Sequence, residues 1–71
     1  MRTGVILWFD KKKGYGFLQD VEDDTKSYFF HYTAIKKDDE FKSYEENDKV
    51  YYEVGTAPNG KECAVSVAPR D

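Results

Sequence analysis

Five short runs rich in β-branched and aromatic residues, each cut off by a turn or a polar stretch, constrain this chain to an all-β fold. The first is Gly4 to Phe9, ended by the turn Lys11-Lys12-Lys13-Gly14. Tyr15 to Val21 is the second, and the polar Glu22-Asp23-Asp24-Thr25 reads as a hairpin loop. Ser27 to Tyr32 is the third. Lys49 to Val54 is the fourth, with Val50, Tyr52 and Val54 alternating against Tyr51 and Glu53. Ala57-Pro58-Asn59-Gly60 is a strong turn signal, and Lys61 to Val67 is the fifth run. Between the third and fourth lies the polar stretch Lys36 to Asp48, broken only by Phe41 and Tyr44. Its apolar content is too low for a stable helix, so it reads as a long loop with a short 3₁₀ turn near Thr33 to Ile35. A loop this long in so small a domain is often functional. Five short antiparallel strands predict a small closed or nearly closed barrel, because closure removes exposed edges. The predicted core is Ile6, Leu18, Tyr28, Phe30, Val50, Tyr52, Val54, Ala64 and Val67.

With 71 residues the chain supplies one domain, spanning 1–71, and one small core. Folding at this size buries only about 60% of the unfolded surface, so a stability of about 3–5 kcal/mol is expected. A second catalytic domain is excluded by length, and a deep substrate pocket is not expected. The single cysteine, Cys63, can form no intramolecular disulfide, and no Cys/His cluster accompanies it to hold zinc. It reads as a small strand residue in a chain suited to a reducing compartment. Glu22-Asp23-Asp24 and Asp38-Asp39-Glu40 lack the ligand spacing of a calcium loop. No metal and no cofactor are therefore expected. No apolar run approaches the roughly 18 residues needed to span a membrane, and the N-terminus lacks the apolar segment of a signal peptide. The expectation is a cytoplasmic monomer with no membrane and no small-molecule substrate.

The rings are the functional signal. Lys13-Gly14-Tyr15-Gly16-Phe17 sets a cation and two aromatics around two glycines, with Trp8-Phe9 upstream and Phe29-Phe30-His31-Tyr32 downstream. Alternation places Tyr15 and Phe17 on one face of a strand, and Phe29 and His31 on one face of another. Rings interleaved with lysines suit single-stranded nucleic acid, since every base offers a π-face and every nucleotide a phosphate. Net charge is −3, which opposes a polyanion, but residues 1–18 carry four cations (Arg2, Lys11, Lys12, Lys13) against Asp10 alone. Gly14 and Gly16 lack the third glycine and following helix of a nucleotide-binding loop; they are read as keeping the sheet surface low between rings. Strict alternation would bury Trp8 with Ile6, and only a bulge would present both Trp8 and Phe9 outward. His31 has no nucleophile or carboxylate partner in view, so no catalytic residue is assigned and no enzyme is predicted. The alternative class is a protein-interaction module using the same aromatic patch.

Gly4-Val5-Ile6-Leu7-Trp8-Phe9-Asp10 followed by Lys13-Gly14-Tyr15-Gly16-Phe17-Leu18 resembles the start of a cold-shock domain, which reads Gly-x-Val-Lys-Trp-Phe-Asn and then Lys-Gly-Phe-Gly-Phe-Ile. Tyr28-Phe29-Phe30-His31-Tyr32-Thr33-Ala34-Ile35 resembles its Val-Phe-Val-His-Phe-Ser-Ala-Ile, and Phe41-Lys42-Ser43-Tyr44 sits where the family has Phe-Lys-Thr-Leu. The resemblance implies a five-stranded antiparallel OB-fold barrel that binds single-stranded RNA or DNA without enzymatic activity and acts as an RNA chaperone. Matched by position, its base-stacking set is Trp8, Phe9, Tyr15, Phe17, Phe29, His31, Tyr32 and Phe41, with Lys13 as the phosphate-facing lysine. The departures are Leu7 and Val5 where the family is basic, Asp10 for Asn, and Glu40 and Asn47 for glycines. The first two remove positive charge, and Asp10 adds a negative one, so binding weaker or differently selective than a typical member's is expected. An RNA-recognition motif shares the glycine-aromatic motif, but there the partner motif comes first and helices join the strands.

Overall fold

The computed structural model describes residues 1–36 and 43–70. Five strands follow in order: β1 (Arg2–Asp10), β2 (Tyr15–Asp20), β3 (Ser27–His31), β4 (Lys49–Thr56) and β5 (Glu62–Pro69), with a 3₁₀ turn at Tyr32–Ala34. They form one antiparallel sheet in the order β3-β2-β1-β4-β5. The sheet curls so that β3 packs on β5. Just beyond the 3₁₀ turn, Ile35 makes a parallel bridge to Val67, and the Lys36 amide donates to the Val67 carbonyl at 2.6 Å. The fold is all-β, the five-stranded antiparallel barrel that the short runs predict.

Ile6, Leu18, Phe30, Val50, Tyr52, Ala64 and Val67 are buried, as the alternation predicts. Two predicted core residues are not. Tyr28 is only partly buried, packed against the Tyr52 ring at 5.7 Å. Val54 remains 36% exposed. β1 begins at Arg2, opposite Tyr52, so Val54 runs past its end and is paired only to Ala64 of β5. The missing volume comes from Ile35 and Tyr44, both buried and both outside the strands.

Two strands break the alternation. The β1–β2 register shifts between Ile6 and Trp8. The β4–β5 register shifts opposite Tyr51 and Glu53, where Ser66 of β5 takes a φ of +52°. That bulge lets Ala64 and Val67, three apart, both face the core.

Asp20 is the one buried carboxylate among the described residues, 4% exposed. Its Oδ1 accepts from the amides of Glu22 (2.8 Å) and Asp23 (3.1 Å), closing the β2–β3 loop. The Tyr52 hydroxyl donates to its Oδ2 at 2.5 Å, and Arg2 lies 3.8 Å away. The Tyr52 bond, the two amides and Arg2 together hold this carboxyl below its ordinary value against the opposing effect of burial. Burial, and then the Asp20 bond, push the Tyr52 hydroxyl well up. Burial and then Asp48 push Tyr44 up to about 12.

The pH dependence follows in sign. Asp20 is depressed on folding, so its contribution is complete above the ordinary carboxyl value of 3.8 and is lost as pH falls through the folded value. Tyr44 and Tyr52 are raised, so stability falls as pH climbs past about 10, where these two hydroxyls ionise in the unfolded chain before they do in the folded one. Denaturant titrations should show Tyr52→Phe costing about 1.5–3 kcal/mol at neutral pH, because a buried charged group loses a donor. The acid limb of the stability curve should flatten in Asp20→Asn.

Candidate nucleic-acid interface

The bulge in β1 organises the site. Ile6 pairs with Leu18, yet Trp8 pairs with Phe17, so Leu7 is the extra residue and the alternation resets after it. Ile6 points inward; Trp8, two residues on, points outward and is 42% exposed. Phe9 turns inward, stacking on buried Phe30 with centroids 5.7 Å apart. The bulge therefore presents Trp8 alone, where the sequence reading needed it to present both rings. Phe9 belongs to the inner packing.

β2 and β3 contain no bulge, and their registers bring the remaining rings together. Phe17 faces Phe29 and Tyr15 faces His31 across the β2–β3 ladder. Trp8 lies 5.5 Å from Phe17 and 5.8 Å from Tyr15; Phe29 lies 5.5 Å from Tyr15 and 5.9 Å from Phe17. Tilted and edge-to-face geometries give these four a favourable mutual arrangement. Trp8 is exposed and Tyr15, Phe17 and Phe29 are half-buried, forming one continuous aromatic surface. His31 borders it, with the Tyr32 ring 4.5 Å away and 46% exposed. Phe41 lies outside the described residues.

The two glycines have structural reasons of their own. Gly16 is buried opposite Phe9, and a Cβ there would collide with the Trp8 carbonyl and lie 3.0 Å from the Phe9 Cα. It admits the bulged β1 backbone, rather than lowering the outer surface. Gly14 takes a φ of +76°, and a Cβ would lie 2.7 Å from the Tyr32 ring. Its carbonyl accepts from the Tyr32 amide at 2.7 Å, which docks the turn on the end of β3.

Asp10 is likewise committed locally. Its Oδ1 accepts from the amides of Lys12 (3.0 Å) and Lys13 (3.1 Å), and its carbonyl from Gly14 N–H (2.8 Å). The carboxylate thus shapes the lysine turn, a role that Asn shares. Lys11 lies 3.8 Å from Glu45, an exposed pair worth little. Lys12 and Lys13 are exposed and have no ion pair among the described residues. Leu7, 40% exposed, sits next to Trp8 on the bulge. The sequence pattern does not reveal the contact of His31 with Thr33, whose amide lies 3.4 Å and hydroxyl 3.1 Å from Nδ1.

A small antiparallel barrel with clustered rings and an exposed lysine turn on its outer face fits a nucleic-acid-binding class. Comparison with known proteins is specific. The 'Cold-shock' DNA-binding domain family matches residues 2–69. A probable cold shock protein A of Mycolicibacterium smegmatis is 42% identical over 63 residues, covering 89% of this chain and 91% of the relative. The major cold shock protein of Micrococcus luteus is 39% identical, covering 90% and 92%. The cold shock-like protein CspI of Escherichia coli is 36% identical, covering 93% and 91%. The chain belongs to the cold-shock domain family, and is a nucleic-acid-binding protein rather than an enzyme.

Neighbouring rings on opposite faces of β1, just past the bulge, should respond differently to truncation. Phe9→Ala should cost about 3 kcal/mol of folding stability, as it opens space against Phe30. Trp8→Ala should cost under about 1 kcal/mol. Thermal or urea denaturation of the two variants checks the bulge directly.

Proposed function

We propose that the protein binds single-stranded RNA or DNA with low sequence specificity, by stacking bases on Trp8, Tyr15, Phe17 and Phe29, with His31 and Tyr32 extending the surface. The observation that carries this reading is the unbroken run of ring contacts at 5.5–5.9 Å on one outward face. The outward positions of β2 and β3 (Tyr15, Phe17, Gln19, Ser27, Phe29, His31) include no carboxylate to repel phosphate. Lys13, exposed on the adjoining turn and without an ion pair among the described residues, is the phosphate contact. A strand whose bases stack on protein cannot stack in a duplex, so binding shifts hairpins toward the open form, which is the work of an RNA chaperone. We take residues 1–71 to act as one domain, as a monomer. No helix among the described residues is long and apolar enough to cross a membrane. The lone cysteine suits a reducing compartment, which favours the cytoplasm.

A fluorescence titration should show a short pyrimidine-rich single strand binding at least about tenfold better than the matching duplex, whose base faces are hidden. Equal affinity for the two would defeat the proposal. Phe17→Ala and Phe29→Ala should each weaken binding by about 1–3 kcal/mol with the fold intact.

Salt dependence tests the electrostatic side. With about two phosphates contacted, log affinity against log salt should have a slope of only about −1.4. Leu7→Lys should tighten binding and steepen that slope by up to about 0.7, since position 7 is exposed beside Trp8. An unchanged slope would mean the strand does not pass over position 7.

A further inference from the structure

His31 is held in a way that stacking does not require. It caps the 3₁₀ turn, and its Nδ1 accepts from the Thr33 amide at 3.4 Å. The Thr33 hydroxyl lies 3.1 Å from the same nitrogen. A backbone N–H is only ever a donor, so Nδ1 must carry the lone pair, and the hydroxyl is free to donate to it as well. In a neutral imidazole the proton then sits on Nε2. No described residue makes a hydrogen bond to Nε2. His31 and Thr33 also line an open cleft of about 250 Å³, walled by Phe29, by Pro58 of the β4–β5 turn and by Cys63 of β5. That space is ample for one base beside the aromatic surface.

We propose that the 3₁₀ turn locks His31 in its Nε2–H tautomer, so that it donates a hydrogen bond to an acceptor atom on the edge of one bound base. The inference rests on single-strand binding at the aromatic face and adds a specific polar contact to it. The turn backbone, through the Thr33 amide, is the positioning element. A ring that only stacked would be indifferent to its tautomer. A donor held at one point on the strand's path reads one nucleotide's acceptor atoms and leaves the others to stacking.

Two measurements decide it. In the free protein at alkaline pH, with the ring neutral, the long-range ¹⁵N–¹H correlation of His31 should show the proton on Nε2; a proton on Nδ1 overturns the proposal without reference to binding. The second uses a short oligothymidylate in which thymine is replaced, one position at a time, by difluorotoluene, a ring of the same shape that stacks but accepts hydrogen bonds poorly. Wild-type protein should lose about fivefold in affinity at one position and little at the others, the effect of one net hydrogen bond. In His31→Phe, which keeps a ring and removes the donor, that positional loss should vanish. A flat scan with wild-type protein, or a loss that persists in His31→Phe, overturns the donor role while leaving stacking intact. Failure of unmodified oligothymidylate to bind at all overturns both this proposal and the single-strand reading beneath it.

Discussion

One extra residue in the central strand decides what this barrel shows to its surroundings. β1 is paired to β2 on one side and β4 on the other, so any change of phase within it is felt across the sheet. Without the bulge at Leu7, Trp8 would point into the core beside Ile6 and Phe9 would point out. With it, the larger ring joins Phe17 and Tyr15 outside, and Phe9 stacks on Phe30 inside. A bulge normally leaves ladder groups unpaired, at a cost of about 1–3 kcal/mol for each buried one. Beside the bulge, on the β4 side of the strand, the Ile6 amide donates to the Asp48 carbonyl and the Ile6 carbonyl accepts from the Asn47 amide, both at 2.8 Å. Asn47 can make that contact because it takes a φ of +72°, a conformation Asn tolerates better than most residues. The loop end before β4 thus supports the bulge that exposes Trp8.

The same device closes the barrel on the far side. Ser66, at positive φ, shifts the phase of β5 so that Val67 faces inward. The Val67 carbonyl then receives the Lys36 amide at 2.6 Å and the Tyr44 hydroxyl at 3.5 Å. Those bonds tie the segments flanking residues 37–42 to the last strand. Asp20 performs the matching task at the β2–β3 loop, joining two loop amides to Tyr52 of β4. In a core this small, three local irregularities stand where a larger protein would use more buried area.

What the sequence disclosed follows from where the alternation is unbroken. β2 and β3 alternate cleanly, so Tyr15, Phe17, Phe29 and His31 fall on one face by counting alone, and Leu18 and Phe30 on the other. Counting fails in β1 because a bulge resets the phase without any fixed residue signature. A hint is present: two adjacent rings, Trp8 and Phe9, with Gly16 placed to let a backbone come close. Ile35 and Tyr44 escape notice as core because each is a lone apolar residue outside any periodic run. Residue type alone marks Asp10 as a charge and does not express that its oxygen accepts from the amides of its own turn. The Thr33–His31 contact depends on the 3₁₀ backbone placing an amide against a ring nitrogen, which residue types alone do not express.

The acidic balance of the chain and its affinity for a polyanion are reconciled by position. Exposed carboxylates such as Glu22, Asp24, Glu45, Glu46, Glu53 and Glu62 sit on loops, turns and strands β4 and β5. The outward faces of β2 and β3 carry none. At physiological salt, charges separated by more than about 8 Å are largely screened, so distant carboxylates repel a bound strand weakly. Stacking is short-ranged and survives that screening. On the proposed stacking, four rings at about 2 kcal/mol per base would approach about 8 kcal/mol, which corresponds to micromolar affinity before the strand's ordering is counted. A surface of this kind needs few cations to hold single strands. On the proposed reading, Leu7 and Val5, uncharged where the resemblance to the cold-shock domain implies basic residues, reduce long-range attraction and leave base stacking as the main contact with the strand. If stacking carries binding as proposed, discrimination against duplex depends on base faces rather than on phosphate density, which single and double strands both offer.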